Sequence, residues 1–294
     1  MMPINNLILV TGQVILLVLF APLVSGFIRK IKNNLRMRKG PSVLQPYYNV
    51  QKLISKDEVI SRHASWIFLA APVIVFASII CALFLVLLAQ LGPFGNNDMA
   101  ILIAAFFVLG LGRFFLALAG LDTASSFGGM GSSREMFISS FAEPIAFVAV
   151  FVLCMSGADT FRISTLLAGF AILMVTLAET SRVPVDNQET HLELTMVHEA
   201  MVLEYSGRSL ALIELASHTK QIIFFILLSW YFFPSMTGGV WGWVIFPGKI
   251  AIISLAIALI ELSVAKMRLF RVVDFLSFSF FIALLASIAA GLGI

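Results

Sequence analysis

Long apolar stretches dominate this sequence, each close to the length that an α-helix needs to cross a bilayer. Eight of them lie at 6–28, 66–91, 99–120, 136–156, 162–178, 219–235, 240–262 and 273–292. A spanning helix needs about 20 mainly apolar residues. We therefore predict an all-α integral membrane protein with about eight transmembrane helices, the fifth of them short. Residues 1–294 would form a single polytopic membrane domain.

The composition excludes several classes of protein. Hydrophobic residues make up 60% of the chain and charged residues only 12%, whereas soluble domains average about 45–50% and about 25%. An ordinary soluble enzyme, a disordered chain and a nucleic-acid-binding domain are all incompatible with these values. The two cysteines, Cys81 and Cys154, form no CxxC pair, so we expect neither an iron–sulfur cluster nor a cysteine-bound zinc ion in this chain.

Lysine and arginine are unevenly distributed between the connections. Of the 19, nine lie between Arg29 and Arg62, and an eight-span arrangement brings 16 to one face. The positive-inside rule makes that face cytoplasmic and places both termini outside. Two long connections then lie in the cytoplasm, 29–65 and 179–218, and long loops on one face are where binding surfaces tend to be built.

Several ionisable residues fall inside or at the ends of the predicted spans. Glu143 and Arg113 lie within spans, and Glu179 and Glu261 lie at span ends. A charge inside a bilayer is costly unless it is paired, neutralised or hydrated. Glu143 and Arg113 therefore form either a structural ion pair or part of a proton relay, and Glu179 and Glu261 fit either such a path or ordinary interfacial positions.

The stretch 179–214 is the most acidic part of the chain. Pro184 disfavours a helical conformation at Val183, which predicts a broken helix followed by an acidic half-membrane block. Apolar residues between the carboxylates favour a packed helix with acidic groups facing a polar cavity over a solvated surface loop. A metal site is disfavoured because the HExxH pattern fails at Val202. The acidic residues are Glu179, Asp186, Glu189, Glu193, Glu199, Glu204 and Glu214.

Two further connections carry polar groups. The Gly- and Ser-rich stretch 121–135 lacks phosphate-binding spacing, and it is either a tight turn or a polar entrance lined by Asp122, Arg134 and Glu135. The first long loop mixes cations with prolines and tyrosines. That pattern fits contact with anionic headgroups or, with its apolar residues, a docking surface for a soluble partner.

Three blocks of this sequence form a recognisable pattern. The first loop contains RMRKGPSVLQPYYNVQKLISKDEV, the middle has Gly131-x-x-Arg134 followed by Glu143, and the third block runs from Glu179-x-x-Arg182-x-Pro184-x-Asp186 to Glu204-Tyr205-Ser206-Gly207. Together these blocks resemble the subunit 1 family of respiratory complex I. The matching docking-loop residues are Arg38, Gly40, Pro41, Leu44, Gln45, Pro46, Lys52, Leu53, Lys56 and Glu58.

Within that family the chain is more similar to the membrane subunit of formate hydrogenlyases and membrane-bound group 4 [NiFe]-hydrogenases. The run THLELTMVHEAMVLEYSG resembles hydrogenase-type members. Val185 stands where complex I members usually have Phe, and His191 stands where they have a carboxylate. These departures count against quinone binding.

The resemblance implies a subunit beneath a soluble electron-transfer arm in a prokaryotic inner membrane. Its partners would be iron–sulfur and hydrogenase-like subunits, which hold [4Fe–4S] clusters and a NiFe centre, together with antiporter-like membrane subunits and lipid. This chain would hold no cofactor. Its buried charges would begin a proton or ion path, for which the candidates are Glu143, Glu179, Asp186, Glu189, Glu193, Glu199, Glu204, Asp122, Glu135, Arg113, Arg134, Arg182, His191 and His198.

We therefore predict a membrane-anchor and coupling subunit of a hydrogenase or formate hydrogenlyase type complex, itself without catalytic residues. Three alternatives stay open. They are a purely structural anchor, the quinone-site subunit of a complex I-type NADH dehydrogenase, and a free-standing transporter. The transporter is the least favoured because the sequence lacks the internal repeats of many transporters.

Overall fold

The computed structural model describes residues 4–61, 64–90, 96–157, 162–186, 197–233 and 240–293. Within these ranges every regular element is an α-helix. The helices are α1 Ile4–Leu35, α2 Gln45–Ile54, α3 Trp66–Ala89, α4 Asn96–Asp122, α5 Ser126–Ser156, α6 Ile163–Glu179, α7 His198–Val202, α8 Gly207–Phe232, α9 Val240–Ser263 and α10 Leu269–Gly291.

Seven of these helices are long and apolar enough to cross a membrane, by length and composition: α1, α3, α4, α5, α8, α9 and α10. The predicted all-helical membrane fold is thereby confirmed. The fifth predicted span corresponds to α6, which has 17 residues and is about 26 Å long at 1.5 Å per residue. A count of eight spans stays a prediction.

Helix α8 is longer than its apolar run. It begins at Gly207, whereas the apolar stretch begins at 219. The added segment carries Glu214 and His218, both of which face a cavity inside the protein. Charged and polar residues therefore continue a spanning helix here, because the protein interior and not lipid surrounds them.

The helices pack through small residues. Helix α3 lies along α4, α10 lies against α5 and α6, and α8 contacts α1, α3 and α6. Gly112 of α4 faces Ser78 of α3, and Gly120 of α4 faces Gly128 of α5. Small residues at these crossings let two helix backbones approach closely, which is the usual way in which membrane helices associate.

The connection after α6 departs from a regular helix before the proline. Helix α6 ends at Glu179, and Ser181 has a positive φ of 50°. The backbone carbonyl of Pro184 accepts a hydrogen bond from Met267 N at 2.9 Å, which ties this connection to the one between α9 and α10. The predicted continuation of a broken helix through 187–196 lies outside the described residues.

The first loop packs back onto α1 at Gly26. A Cβ at this position would collide with the backbone carbonyl of Val43 and would touch Pro46. We expect Gly26→Ala to separate α1 from the segment leading into α2 and to lower the free energy of unfolding by about 1–3 kcal/mol, as overpacking does elsewhere. Thermal unfolding of the detergent-solubilised protein measures this.

Gly12 provides the matched control in the same helix. A Cβ there has nothing within 4 Å, and Ala is the better helix former. Gly12→Ala should therefore leave the unfolding temperature unchanged or raise it slightly. Equal destabilisation by both substitutions would show that the contact between Gly26 and Val43 does not constrain the loop.

Candidate functional site

A cavity of about 360 Å³ lies among α1–α5, α7, α8 and the connection after α6. Its apolar wall includes Val75, Ile79 and Leu109. Its polar wall includes Arg113, Glu179 and Lys220. These three residues belong to a network of ion pairs that we call the Arg113 network. A second network, which we call the Glu261 network, reaches the cavity only through uncharged side chains.

The Arg113 network joins three helices through one guanidinium group. Arg113 Nη2 lies 2.6 Å from Glu179 Oε2 at the end of α6, and Nη1 lies 2.8 Å from Glu143 Oε1 on α5. Its Nε is 3.8 Å from Glu135 Oε1, also on α5. Lys220 of α8 adds a second cation, 2.8 Å from Glu179 Oε2.

The exposed fraction of each side chain distinguishes the members of the Arg113 network. Arg113 and Glu179 are almost wholly buried, whereas the Glu143 side chain is 39% exposed. Three carboxylates share two cations, so the fully ionised network carries one excess negative charge. Of these side chains, Glu143 is the one that reaches the outer surface of the helix bundle.

The Glu261 network lies between α1, α8 and α9. Glu261 Oε2 is 2.7 Å from Lys32 Nζ, and Glu261 Oε1 is 2.6 Å from Arg182 Nη1. Arg182 Nη2 donates to Gln221 Oε1 at 2.9 Å. Here two cations share one carboxylate, so the excess charge is positive and opposite to that of the Arg113 network.

Polar contacts extend the Glu261 network to the cavity wall. Ser25 Oγ donates to Gln221 Oε1 at 2.8 Å and lies 2.9 Å from His218 Nδ1. Because the Ser25 proton goes to Gln221, the hydroxyl oxygen accepts from His218 Nδ1–H. Ser25, His218 and Gln221 all line the cavity.

The two networks meet at adjacent residues. Lys220 belongs to the Arg113 network and Gln221 to the Glu261 network. Glu179 at the end of α6 belongs to the Arg113 network, and Arg182, three residues later in the connection that follows, belongs to the Glu261 network. Any displacement of α8 or of this connection therefore changes both networks together.

Asp186 forms a further ion pair at the edge of the cavity. Its Oδ1 lies 3.1 Å from Lys266 Nζ, and its Oδ2 accepts a hydrogen bond from Val197 N at 3.1 Å. The buried carboxylate thus joins the connection after α6 to residues 11 and 80 positions further along the chain. It is fixed by these contacts and lines the cavity.

His198 and Glu199 extend the polar wall from α7, and both line the cavity. Burial lowers the pKa of His198 below its ordinary value of 6.5, against the opposing influence of Glu135. The imidazole is therefore neutral at pH 7. A neutral ring both donates and accepts a hydrogen bond, which a relay of protons requires.

Three predicted path residues neither line the cavity nor belong to the Arg113 or Glu261 network. Asp122 Oδ2 accepts a hydrogen bond from Ser65 N at 2.7 Å and so holds the start of α3. Arg134 Nη2 lies 3.3 Å from the Met130 sulfur. Glu204 is exposed. Glu189, His191 and Glu193 fall within 187–196, outside the described residues.

The predicted docking residues occupy the first loop and the short helix that follows it. Gln45, Pro46 and Lys52 belong to α2, and Pro46 is buried against the cavity. Arg38, Gly40, Pro41, Lys52 and Lys56 are exposed. Glu58 is exposed too, but its carboxylate is bonded to the start of α8.

Other motif residues have structural roles. Gly131 packs against α7, where a Cβ would lie 2.9 Å from the Ala200 methyl group. Tyr205 stacks on Phe68 with ring centroids 4.0 Å apart and donates its hydroxyl proton to Phe68 O. Burial raises the pKa of Tyr205, so the phenol stays protonated and holds α3 against the start of α8.

Sequence reasoning missed several members of the two networks. Lys32 and Lys220 were used only to predict membrane topology. The one clue to Ser25, His218 and Gln221 in the sequence is that they are polar residues within apolar helices. Among the described residues, no group of three or more His, Cys, Asp or Glu side chains is arranged to hold a metal ion.

Comparison with known proteins identifies what this arrangement resembles. A family model described as NADH dehydrogenase matches residues 7–291. Hydrogenase-4 component C of Escherichia coli K12 is 31% identical over 239 residues, covering 76% of this chain and 74% of that protein. Formate hydrogenlyase subunit 4 of the same organism is 29% identical over 282 residues, covering 87% and 90%.

More distant relatives extend the comparison. An NADH-quinone oxidoreductase subunit of Rubrobacter xylanophilus is 25% identical over 281 residues, covering 84% of this chain and 82% of that protein. A chain from the membrane-bound sulfane sulfur reductase, an archaeal respiratory membrane complex, has the same fold. It matches with a TM-score of 0.81 at 16% identity, covering 97% of this chain and 99% of that one.

Proposed function

Because this chain belongs to the NADH dehydrogenase subunit 1 family, we propose that it is the membrane-anchor and coupling subunit of a hydrogenase or formate hydrogenlyase type complex. It docks a soluble electron-transfer arm and links the redox chemistry of that arm to proton or sodium translocation. The observation that carries the proposal is the Arg113 network, a buried set of ion pairs between spanning helices that reaches the bundle surface at Glu143. Ionisable groups in such positions mark ion or proton pathways in membrane proteins.

The path runs from the cavity to the surface of the bundle. His198 and Glu135 line the cavity, Arg113 connects Glu135 to Glu143, and Glu143 carries the excess charge outward. A change of charge in the arm above the cavity alters the protonation of these carboxylates, and a proton passes to the neighbouring subunit at Glu143. Antiporter-like subunits are the partners that would receive it.

The docking surface is the exposed face of the first loop and α2. Met37 is 95% exposed and Val59 is 75% exposed, and Tyr48 and Ile54 are exposed between them, next to Lys52. Exposed apolar groups rimmed by polar residues mark contacts with another protein or with a membrane, and we assign this surface to a protein partner. Iron–sulfur and hydrogenase-like subunits bind here from the cytoplasm, and they hold the [4Fe–4S] clusters and a NiFe centre. In this arrangement both termini lie outside a prokaryotic inner membrane.

Purification of the complex through a tag on this chain, in mild detergent, tests the proposal. Hydrogenase-like and iron–sulfur subunits with nickel and iron should co-purify. Lys52→Glu should lower the amount of co-purified soluble subunits at least threefold by placing a negative charge in the docking surface. Arg271→Glu, an exposed charge reversal near the start of α10, should leave it unchanged. A chain that is recovered alone and metal-free contradicts the proposal.

A quinone site is the second candidate, favoured by the apolar wall of the cavity. Val75, Ile79 and Leu109 line it together with polar groups, which is the usual composition of a site for an amphipathic ligand. Electron transfer by the purified complex to a short-chain quinone, sensitive to quinone-site inhibitors, would favour this candidate. Iron with flavin and no nickel in the same preparation would favour it further.

A further inference from the structure

The segment that follows α2 is hydrogen-bonded to the start of α8. Residues 56–60, which we call the strap, make these contacts. Glu58 Oε1 accepts hydrogen bonds from Ser209 N at 2.7 Å and Ser209 Oγ at 3.0 Å. Ser206 Oγ accepts from Val59 N at 2.8 Å and donates to Val59 O at 3.2 Å.

The backbone at the start of α8 is shaped to accept the strap. Gly207 has a positive φ of 55°, and a Cβ there would lie within 2.8–2.9 Å of Asp57 O, Lys56 O and Glu58 Cγ. A side chain at this position would therefore push the strap away. The first amide groups of a helix have no partner within the helix, and Glu58 supplies one together with a negative charge that favours a helix N-terminus.

Helix α8 connects the strap to both buried networks. Lys220 lies about 16 Å along the helix axis from Ser209 and pairs with Glu179. Its neighbour Gln221 pairs with Arg182. The helix contains no proline between the strap and these residues, so it transmits a displacement of its first turn as a rigid element. The strap itself follows directly on α2, whose exposed face is the proposed docking surface.

We propose that the strap mechanically links the docked soluble arm to the two buried ion-pair networks, with Glu58 as a positioning residue of α8. This assigns Glu58 a role different from the docking contact that the sequence predicts. The link rests on the proposed function for the identity of what binds to α2. A shift of α2 on arm binding or on a change in the arm moves the first turn of α8, and through α8 it moves Lys220 and Gln221 relative to their partners.

Hydrogen–deuterium exchange of the purified complex tests the link, with amides 207–211 as the reporter. Glu58→Ala should increase exchange at these amides at least tenfold, and Glu58→Gln, which keeps an acceptor oxygen, should give a smaller increase. Asp57→Ala is the matched control because it removes the neighbouring exposed carboxylate from the same strap. Exchange in this control should equal that of the wild type. Co-purification of the soluble subunits should be unchanged in all three variants.

A second comparison tests the link to the arm. Stripping the soluble arm from wild-type complex with a chaotropic wash should raise exchange at 207–211 at least threefold, and the wash should add little in Glu58→Ala. Equal exchange in Glu58→Ala and Asp57→Ala overturns the proposal, as does exchange that is indifferent to the arm. If Glu58→Ala loses the soluble arm while exchange at 207–211 stays at the wild-type value, the proposal is overturned too, because Glu58 is then a docking residue.

Two further readouts keep the test decisive. If Glu58→Ala yields no complex, Ser206→Ala removes the bonds to Val59 and should raise exchange at 207–211 in the same way, and unchanged exchange there would overturn the link. Ion translocation per electron, measured in liposomes, should fall at least threefold in Glu58→Ala and stay constant in Asp57→Ala. A wild-type complex that translocates no ions contradicts the proposed function, while the exchange results still decide whether the strap links the arm to α8.

Discussion

Arg113→Gln is expected to destabilise this protein more than any other single substitution in the cavity wall. The change leaves Glu135, Glu143 and Glu179 with Lys220 as the remaining cation of their network. Removing one partner of a buried ion pair costs about 3–5 kcal/mol because the other charge stays buried. We expect little chain in the membrane fraction, and a lowered unfolding temperature for what can be purified.

Two further variants show whether loss of the Arg113 charge causes the destabilisation. Arg134→Gln removes a cation that does not line the cavity and should leave expression unchanged. The double variant Arg113→Gln with Glu179→Gln removes one carboxylate as well and should recover part of the lost stability. If Arg113→Gln accumulates and unfolds like Arg134→Gln, the network does not stabilise the helix bundle.

Glu143→Gln is expected to abolish coupling while the complex stays assembled. The amide has the shape of the carboxylate and keeps an oxygen that can accept the hydrogen bond from Arg113, so the helices should stay in place. It cannot take up and release a proton at neutral pH. We expect ion translocation per electron to fall at least tenfold in liposomes, whereas electron transfer and subunit composition change less than twofold.

Glu204→Gln provides the control for Glu143. Glu204 has the same side chain, but it is exposed and does not line the cavity. Its substitution should leave translocation at the wild-type value. Normal translocation by Glu143→Gln at full expression would instead support a purely structural anchor, in which the ion pairs only hold the helices together.

The sequence predicts best what the bilayer itself requires. Long apolar runs predict spanning helices because lipid offers no partners to a backbone. Charges within those runs, such as Arg113 and Glu143, must be paired, neutralised or hydrated because lipid offers no partners to a charge either. The sequence left a structural ion pair and a proton relay open for these two side chains, and the structure places them 2.8 Å apart.

The sequence predicts poorly how each helix is rotated about its own axis. From the sequence alone, Lys32 and Lys220 serve only to predict which face is cytoplasmic. The positive-inside rule counts a lysine by its distance from the membrane and not by the direction in which its side chain points. The structure pairs both of them with buried carboxylates. Asp122 differs in the opposite way. In the sequence it is a candidate for lining a polar entrance, but in the structure its carboxylate accepts a hydrogen bond from Ser65 N at the start of α3.

Residues close in sequence also differ in what they contact. Glu58 follows the cationic docking loop, and its family pattern suggested a partner contact. In the structure its carboxylate bonds to Ser209, a residue 151 positions away. Only the three-dimensional path of the chain reveals such a contact, because neither periodicity nor composition relates the two segments.

The shortness of α6 has an electrical consequence. If Arg162 lies at one membrane surface, the end of this helix at Glu179 lies about 26 Å away, short of the roughly 30 Å of hydrocarbon. About a tenth of the membrane voltage then falls between Glu179 and the cytoplasm. Moving one charge through the full voltage is worth about 2.3 kcal/mol per 100 mV. The free energy of protonating Glu179 therefore changes by about 0.2–0.3 kcal/mol per 100 mV of membrane voltage. An energised membrane would thus act directly on Glu179, a member of the Arg113 network.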